Sequence, residues 1–312
     1  MLQNEEETDF HIPSREQLVY DKVKRLNQGP LTNDSLSSIY REVMSASIKL
    51  QKEISISYLG PPGSYSHQAS FQKFGDSVCY SSCQTINEVF SSIEKENTTY
   101  GLVPFENSTF GSVQQTLDRF ITTNLFVRGE IFLEIKHCLL NKSGSKSDIK
   151  KIYSHPEAFG QCTKYLESNF PNVEKINVES TSKAAEMSSL DSESASICSI
   201  VCQDIYNLKI IEENIQDLKN NTTRFFILGR KPDFKTNNDK TLLSFTVDHR
   251  QPGALCDCLL KKINLTKIDS RPSGQRLWHY FFFIELVGHV EDENVKEALE
   301  ELGRYCLDIK VL

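Results

Sequence analysis

Between residues 14 and 26 the apolar positions fall at helical spacing. Leu18, Val19, Val23 and Leu26 share a face, and Asn27-Gln28-Gly29-Pro30 ends the helix. Thr32-Asn33-Asp34 offers capping chemistry for a second helix, in which Leu36, Ile39, Tyr40, Val43, Met44, Ile48 and Leu50 form an apolar stripe. Two helices enclose no core alone, so this hairpin (1–53) is expected to pack on the main body or on a second chain. From residue 54 the pattern changes to short apolar runs, each followed by a polar turn and a helical segment. The alternation to residue 231 is mostly β-α-β-α, which predicts an α/β domain with parallel sheets. Alternating runs at 126–133 and 135–140 interrupt it and predict two lobes, 54–135 with 212–231, and 136–211. An acidic stretch ending near Asp217 reads as helical. After a polar linker at 231–240, strand and helix patterns over 240–312 follow the order βαββαβ, a ferredoxin-like split unit.

Three turns carry candidate chemistry. Gly60-Pro61-Pro62-Gly63-Ser64-Tyr65-Ser66-His67 follows a strand and opens a helix. Its glycines allow close backbone approach, and its N–H groups and hydroxyls suit an anion. The spacing matches neither a Walker A loop nor a dinucleotide fingerprint, so no nucleotide is implied. Glu106-Asn107-Ser108-Thr109 ends a second buried strand in the same way. Corners of this kind on one parallel sheet open toward the same edge, where α/β proteins bind ligands. The third stretch, Asn220-Asn221-Thr222-Thr223-Arg224-Phe225, feeds a polar turn into an apolar strand. A cleft between the lobes would be lined by Ser64–Ser66, Asn107–Ser108, Ser154–His155 and Thr223–Arg224. There Thr223 can donate a proton to a leaving hydroxyl, and Arg224 either clamps a carboxylate or holds the turn. His155, at the start of a helix with Pro in its first turn, reads as cleft-lining or structural rather than as a base.

Composition narrows the classes. A net charge of −7 over 312 residues argues against non-specific nucleic-acid binding. No apolar run spans a bilayer, and the acidic start MLQNEEETDF is no secretory signal. The nine cysteines include no CxxC pair and the seven histidines no HExxH, so reduced thiols in a cytosolic chain without metal or cofactor are expected.

YLGPPGSYSHQA, GLVPFENSTFGSVQQTLD, YSHPEAFGQC, NIQD and NNTTRF resemble, in order and spacing, the motifs of prephenate dehydratase. The resemblance covers residues 54–312 and implies a two-lobed, periplasmic-binding-protein-like fold with prephenate between the lobes. The implied reaction forms phenylpyruvate with loss of carbon dioxide and water, and the family's catalytic threonine falls on Thr223. Ser64, Ser66, Asn107, Ser108, Ser154, Arg224 and Phe225 are the implied substrate-binding residues. The C-terminal pattern, with PGAL at its first turn and NLTKIDSRPS later, is similar to an ACT domain. That implies phenylalanine as feedback effector at Gly253, Ala254, Leu255, Asp269, Ser270, Arg271 and Pro272, and a homodimer or homotetramer. The first hairpin resembles the last two helices of the all-helical chorismate mutase domain, with Arg15, Glu16, Ser47 and Gln51 at matching positions. The long first helix and its arginines have no counterpart here, so a remnant used for packing or dimerisation is expected. Arogenate dehydratase, or a non-catalytic amino-acid-binding regulator, are the alternatives.

Overall fold

In the computed structural model, which describes residues 13–51, 54–236, 238–248, 255, 264–274 and 277–312, three sheets follow an N-terminal hairpin. Helices α1 (Pro13–Leu26) and α2 (Asn33–Gln51) form the hairpin. It meets the body through polar groups: Glu16 reaches Lys73 (3.5 Å), Arg41 donates to the carbonyl of Gln72 (3.3 Å), and Glu42 accepts the Asp76 N–H (3.0 Å). Much of the expected apolar stripe, Ile39, Tyr40, Val43 and Leu50, stays exposed.

The first lobe is built on a sheet ordered β2-β1-β3-β11-β5, with the short β4 (Gly111–Ser112) beside β3. Its strands are β1 (Ser55–Leu59), β2 (Cys79–Cys83), β3 (Tyr100–Asn107), β5 (Phe126–Glu134) and β11 (Thr222–Gly229). Helices α3 (Tyr65–Phe74), α4 (Ile86–Glu94) and α5 (Gln114–Thr122) cover it. The second sheet, ordered β10-β6-β9-β7-β8, contains β6 (Cys138–Asn141), β7 (Lys151–Ser154), β8 (Glu174–Asn177), β9 (Ser194–Cys198) and β10 (Lys209–Glu212). Its helices are α6 (Pro156–Gln161), α7 (Thr163–Asn169), α8 (Thr181–Leu190) and α9 (Cys202–Tyr206). Both sheets are mixed rather than parallel. β11, on which the chain returns from the second lobe, runs antiparallel to β3 and β5, and β6, on which it enters that lobe, runs antiparallel to β9 and β10.

The two connections, 135–137 and 213–221, pair with each other. The His137 carbonyl accepts the Ile215 N–H (3.0 Å), and the Asn221 carbonyl accepts the Ile135 N–H (2.8 Å). This corrects the helical reading near Asp217: backbone groups at 215–221 are used across the crossing and leave no i→i−4 ladder.

The third sheet, ordered β13-β14-β12-β15, comprises β12 (Lys240–Val247), β13 (Leu265–Pro272), β14 (Tyr280–Val287) and β15 (Cys306–Val311), with α10 (Glu293–Gly303). The helix expected from residue 255 falls largely outside the described residues. One face of this sheet buries Leu243, Phe245, Ile284 and Leu286 with Val295 and Leu302. The other contributes Leu242, Phe283 and Leu312 to the core of the first lobe, beside Phe105, Phe120, Phe226 and Leu228. The C-terminal sheet therefore lies against the strand that carries Thr223.

Candidate active site

Strand alternation sorts the TRF stretch. Phe225 and Ile227 enter the core under α3, while Phe226 and Leu228 enter the core shared with the C-terminal sheet. Thr223 and Arg224 lie at the end of β11, paired with Asn107 and Glu106 of β3. One face offers a hydroxyl and an amide, and the opposite face an arginine and a glutamate.

Thr223 is half-buried, and Asn107 Nδ2 donates to its Oγ1 at 2.9 Å. The same Nδ2 donates to Asn221 Oδ1 at 2.7 Å. The orientation of Asn107 is set by its own turn, where Oδ1 accepts the N–H groups of Thr109 (2.9 Å) and Phe110 (3.0 Å). An amide whose oxygen is taken by two backbone donors can present only NH2 to Thr223. The threonine oxygen therefore receives a hydrogen bond, and its own proton is left for a further acceptor.

Asn221 connects this pair to a cavity of about 440 Å³ between the lobes, lined by Thr109, Phe110, Glu157, Gly160, Gln161, Gln216, Asp217, Leu218 and Asn221. The lining holds two carboxylates and neither lysine nor arginine, so its donors are the Thr109 hydroxyl, amides and backbone N–H groups. Asp217 is partly committed, accepting the Lys164 N–H at 3.1 Å. A hydrogen-bond chain runs behind the lining. Gln161 Oε1 lies 2.6 Å from His137 Nε2 and accepts from Asn221 Nδ2 at 3.5 Å, while the Tyr65 hydroxyl lies 2.8 Å from His137 Nδ1. Gln216 Oε1 accepts the His137 backbone N–H at 2.9 Å. Burial lowers the His137 pKa and raises that of Tyr65, so both are neutral near pH 7.

Several residues expected at the substrate are engaged in local contacts. Ser154 Oγ is buried and donates to the Ile197 carbonyl (2.8 Å). Ser108 Oγ closes the neighbouring turn, donating to the Asn220 carbonyl (3.1 Å) and accepting the Thr222 N–H (2.9 Å). Ser64 caps α3, accepting the His67 N–H (3.2 Å) and donating to the Leu59 carbonyl (3.1 Å), and Ser66 is buried. Phe225 is core. His155 caps α6 through Nδ1.

Arg224 does not face the cleft. Its Nε donates to Glu130 (2.6 Å), its Nη2 pairs with Glu285 of β14, and Phe105, Phe132 and Phe226 surround the guanidinium. Of its two expected roles, holding structure is the one its contacts support. Alternation also divides the expected effector stretch: Asp269 and Arg271 face the first lobe, on Ser112 (2.8 Å) and Asp118 (2.6 Å), while Ser270 and Pro272 are exposed. Leu255 packs against the C-terminal core; Gly253 and Ala254 lie outside the described residues.

Asn221, Gln161 and Gln216 stand inside NNTTRF, YSHPEAFGQC and NIQD, so the motifs marked them without showing their part. His137 stands in no motif, and only the crossing of the chain reveals it.

The model of the family described as prephenate dehydratase matches residues 56–233, and that of chorismate mutase type II matches residues 2–52. A bifunctional chorismate mutase/prephenate dehydratase of Aquifex aeolicus is 40% identical over 311 residues, covering 97% of this chain and 86% of that protein. A prephenate dehydratase of Methanocaldococcus jannaschii is 38% identical over 257 residues, covering 78% and 90%. The crystal structure of a prephenate dehydratase from Arthrobacter aurescens in complex with L-Phe is 30% identical, with TM-score 0.76 over 83% of this chain and 89% of that one. With the match over 56–233 and these relatives, the chain belongs to the prephenate dehydratase family.

Proposed function

We propose that this protein converts prephenate to phenylpyruvate, with Thr223 as the proton donor. The observation that carries the assignment is the fixed donation from Asn107 to Thr223 Oγ1. In the elimination the ring–carboxylate bond breaks and the carboxylate leaves as carbon dioxide. Its electron pair enters the ring, and the hydroxyl on the opposite carbon departs. Thr223 donates its O–H to that hydroxyl, so water leaves, and the charge developing on Oγ1 meets Asn107 Nδ2 at 2.9 Å. The proton is restored from solvent. Aromatisation supplies the driving force, so orientation and one proton suffice; such general-acid help is worth about 10²–10⁴-fold. Thr109, Phe110, Gln161, Gln216 and Asn221 line the space for the substrate. Following phenylpyruvate absorbance with purified protein and prephenate tests the reading, and absence of turnover would refute it.

Glu157 and Asp217 in the cleft favour a second reading, dehydration of arogenate, whose ammonium group they would attract. The ratio of kcat/KM for the two substrates decides; the first reading predicts a ratio favouring prephenate.

Three further assignments belong to this proposal. Residues 54–135 with 212–231 and residues 136–211 are the catalytic lobes, and residues 240–312 are an ACT regulatory domain that takes L-phenylalanine as inhibitor. The relative from Arthrobacter aurescens in complex with L-Phe supports the effector, and the strand order β13-β14-β12-β15 supports the domain type. Residues 1–53 serve docking and self-association in a cytosolic dimer or tetramer rather than chorismate rearrangement. Glu16 and Arg41 are engaged with the first lobe, and Ile39, Val43 and Leu50 are exposed. Chorismate turnover by the chain would overturn that last assignment.

A further inference from the structure

The structure assigns His137 as a positioning residue that turns two glutamine amides donor-side toward the substrate. This rests on the dehydratase reading of the cleft. His137 is 2% exposed and stands where the chain passes from β5 to β6, with the return crossing against it. It meets both glutamines that line the cleft. Its backbone N–H goes to Gln216 Oε1 (2.9 Å) and its Nε2 to Gln161 Oε1 (2.6 Å). A side-chain amide whose oxygen is anchored presents its NH2 from the other end; Gln161 Nε2 gives one hydrogen to Glu157 Oε1 (3.4 Å), which leaves the other for a ligand.

The consequence is electrostatic. A dicarboxylate entering a cleft lined by Glu157 and Asp217, without lysine or arginine, depends on amide donors. A flipped glutamine would put its carbonyl oxygen against the anion. The side-chain arm is set by Tyr65, the first residue of α3 in the opposite lobe, whose hydroxyl lies 2.8 Å from Nδ1. With Tyr65 donating there, neutral imidazole carries its proton on Nε2, and Nε2–H can donate only to an oxygen, which selects the Gln161 orientation. The Lys136 carbonyl, 3.1 Å from the same hydroxyl, is the competing acceptor; donation to it would place the proton on Nδ1 and reverse the chain. The same Gln161 oxygen takes Asn221 Nδ2, so the arrangement continues to Asn107 and Thr223.

Two conservative variants separate this role from packing. The amide nitrogen of Gln in His137→Gln reaches the Nε2 position and can still donate to Gln161; that of Asn in His137→Asn reaches only the Nδ1 position. With prephenate as substrate, His137→Gln is expected to keep kcat within about threefold of wild type, and His137→Asn to lose about 10–100-fold. Equal kcat for the two variants, or a better His137→Asn, would overturn the assignment. A second readout needs no turnover: imidazole nitrogen chemical shifts of His137 in the wild-type protein should report the Nε2–H tautomer. The Nδ1–H tautomer would refute the chain. Absence of prephenate turnover by wild type together with the Nε2–H tautomer would sink the dehydratase reading alone.

Discussion

Replacing Glu285 with alanine tests the contact between the C-terminal sheet and the strand carrying Thr223. Glu285 is 3% exposed and pairs with Arg224, whose side chain is also nearly buried. Burial pushes the Glu285 carboxyl up, but Arg224, the Thr266 hydroxyl and Lys240 together outweigh it and hold the pKa below 4.5. Stranding a buried charge altogether destabilises by about 3–5 kcal/mol. Here Arg224 keeps Glu130 at 2.6 Å and three aromatic faces, so the expected loss falls to about 2–3 kcal/mol. At about 1–3 kcal/mol per molar urea, the midpoint of the first unfolding transition should drop by about 1 M at pH 7, followed by circular dichroism. The sign with pH follows from the depressed folded pKa. The contribution of Glu285 is complete above its unfolded pKa near 4.5 and is lost as pH falls through the lower folded value. The wild-type and variant midpoints should therefore converge in acid. Midpoints that coincide at pH 7, or a gap that widens on acidification, would refute the reasoning.

Gly63→Ala should strain the contact between lobes. Gly63 sits at φ +86°, and a Cβ there would lie 2.8 Å from Cys202 Sγ and 2.9 Å from Ser182 Oγ. Thermal unfolding should show a loss of more than about 1 kcal/mol, and an unchanged Tm would contradict the packing. The thiols should divide by burial: Cys162 and Cys138 are pushed up to about 12 and about 11, whereas Cys79 is exposed. A thiol-specific disulfide reagent at pH 8 should modify Cys79 within minutes and leave the other two until denaturant is added, as mass mapping would show.

The parts of the fold that are local in sequence were legible in it. Gly60–Ser64 and Asn107–Phe110 announce strand–turn–helix corners because turn chemistry lies in neighbouring residues. Thr223 and Asn107, which the fold brings to 2.9 Å, stood out through their motifs. What stayed hidden depends on distant partners. Arg224 reads equally as a carboxylate clamp or as a support for its turn until Glu285 appears on the opposite face of the strand, 61 residues away in sequence. The Ser154 and Ser108 hydroxyls look free until the Ile197 carbonyl and the Asn220 turn are placed beside them. His137 had no signal, since Tyr65 and Gln161 are 72 and 24 residues from it. The stretch before Asp217 carries helical periodicity, yet the return crossing claims its backbone groups, and tertiary pairing prevails over local preference.

The central claim is that the Thr223 hydroxyl, held by Asn107, protonates the leaving group. Steady-state kinetics of Thr223→Ala against wild type with prephenate tests it most directly. The account predicts a fall in kcat of about 10²-fold or more with KM within a few-fold, since the lost interaction belongs to the transition state. A Thr223→Ala protein with wild-type kcat would contradict it.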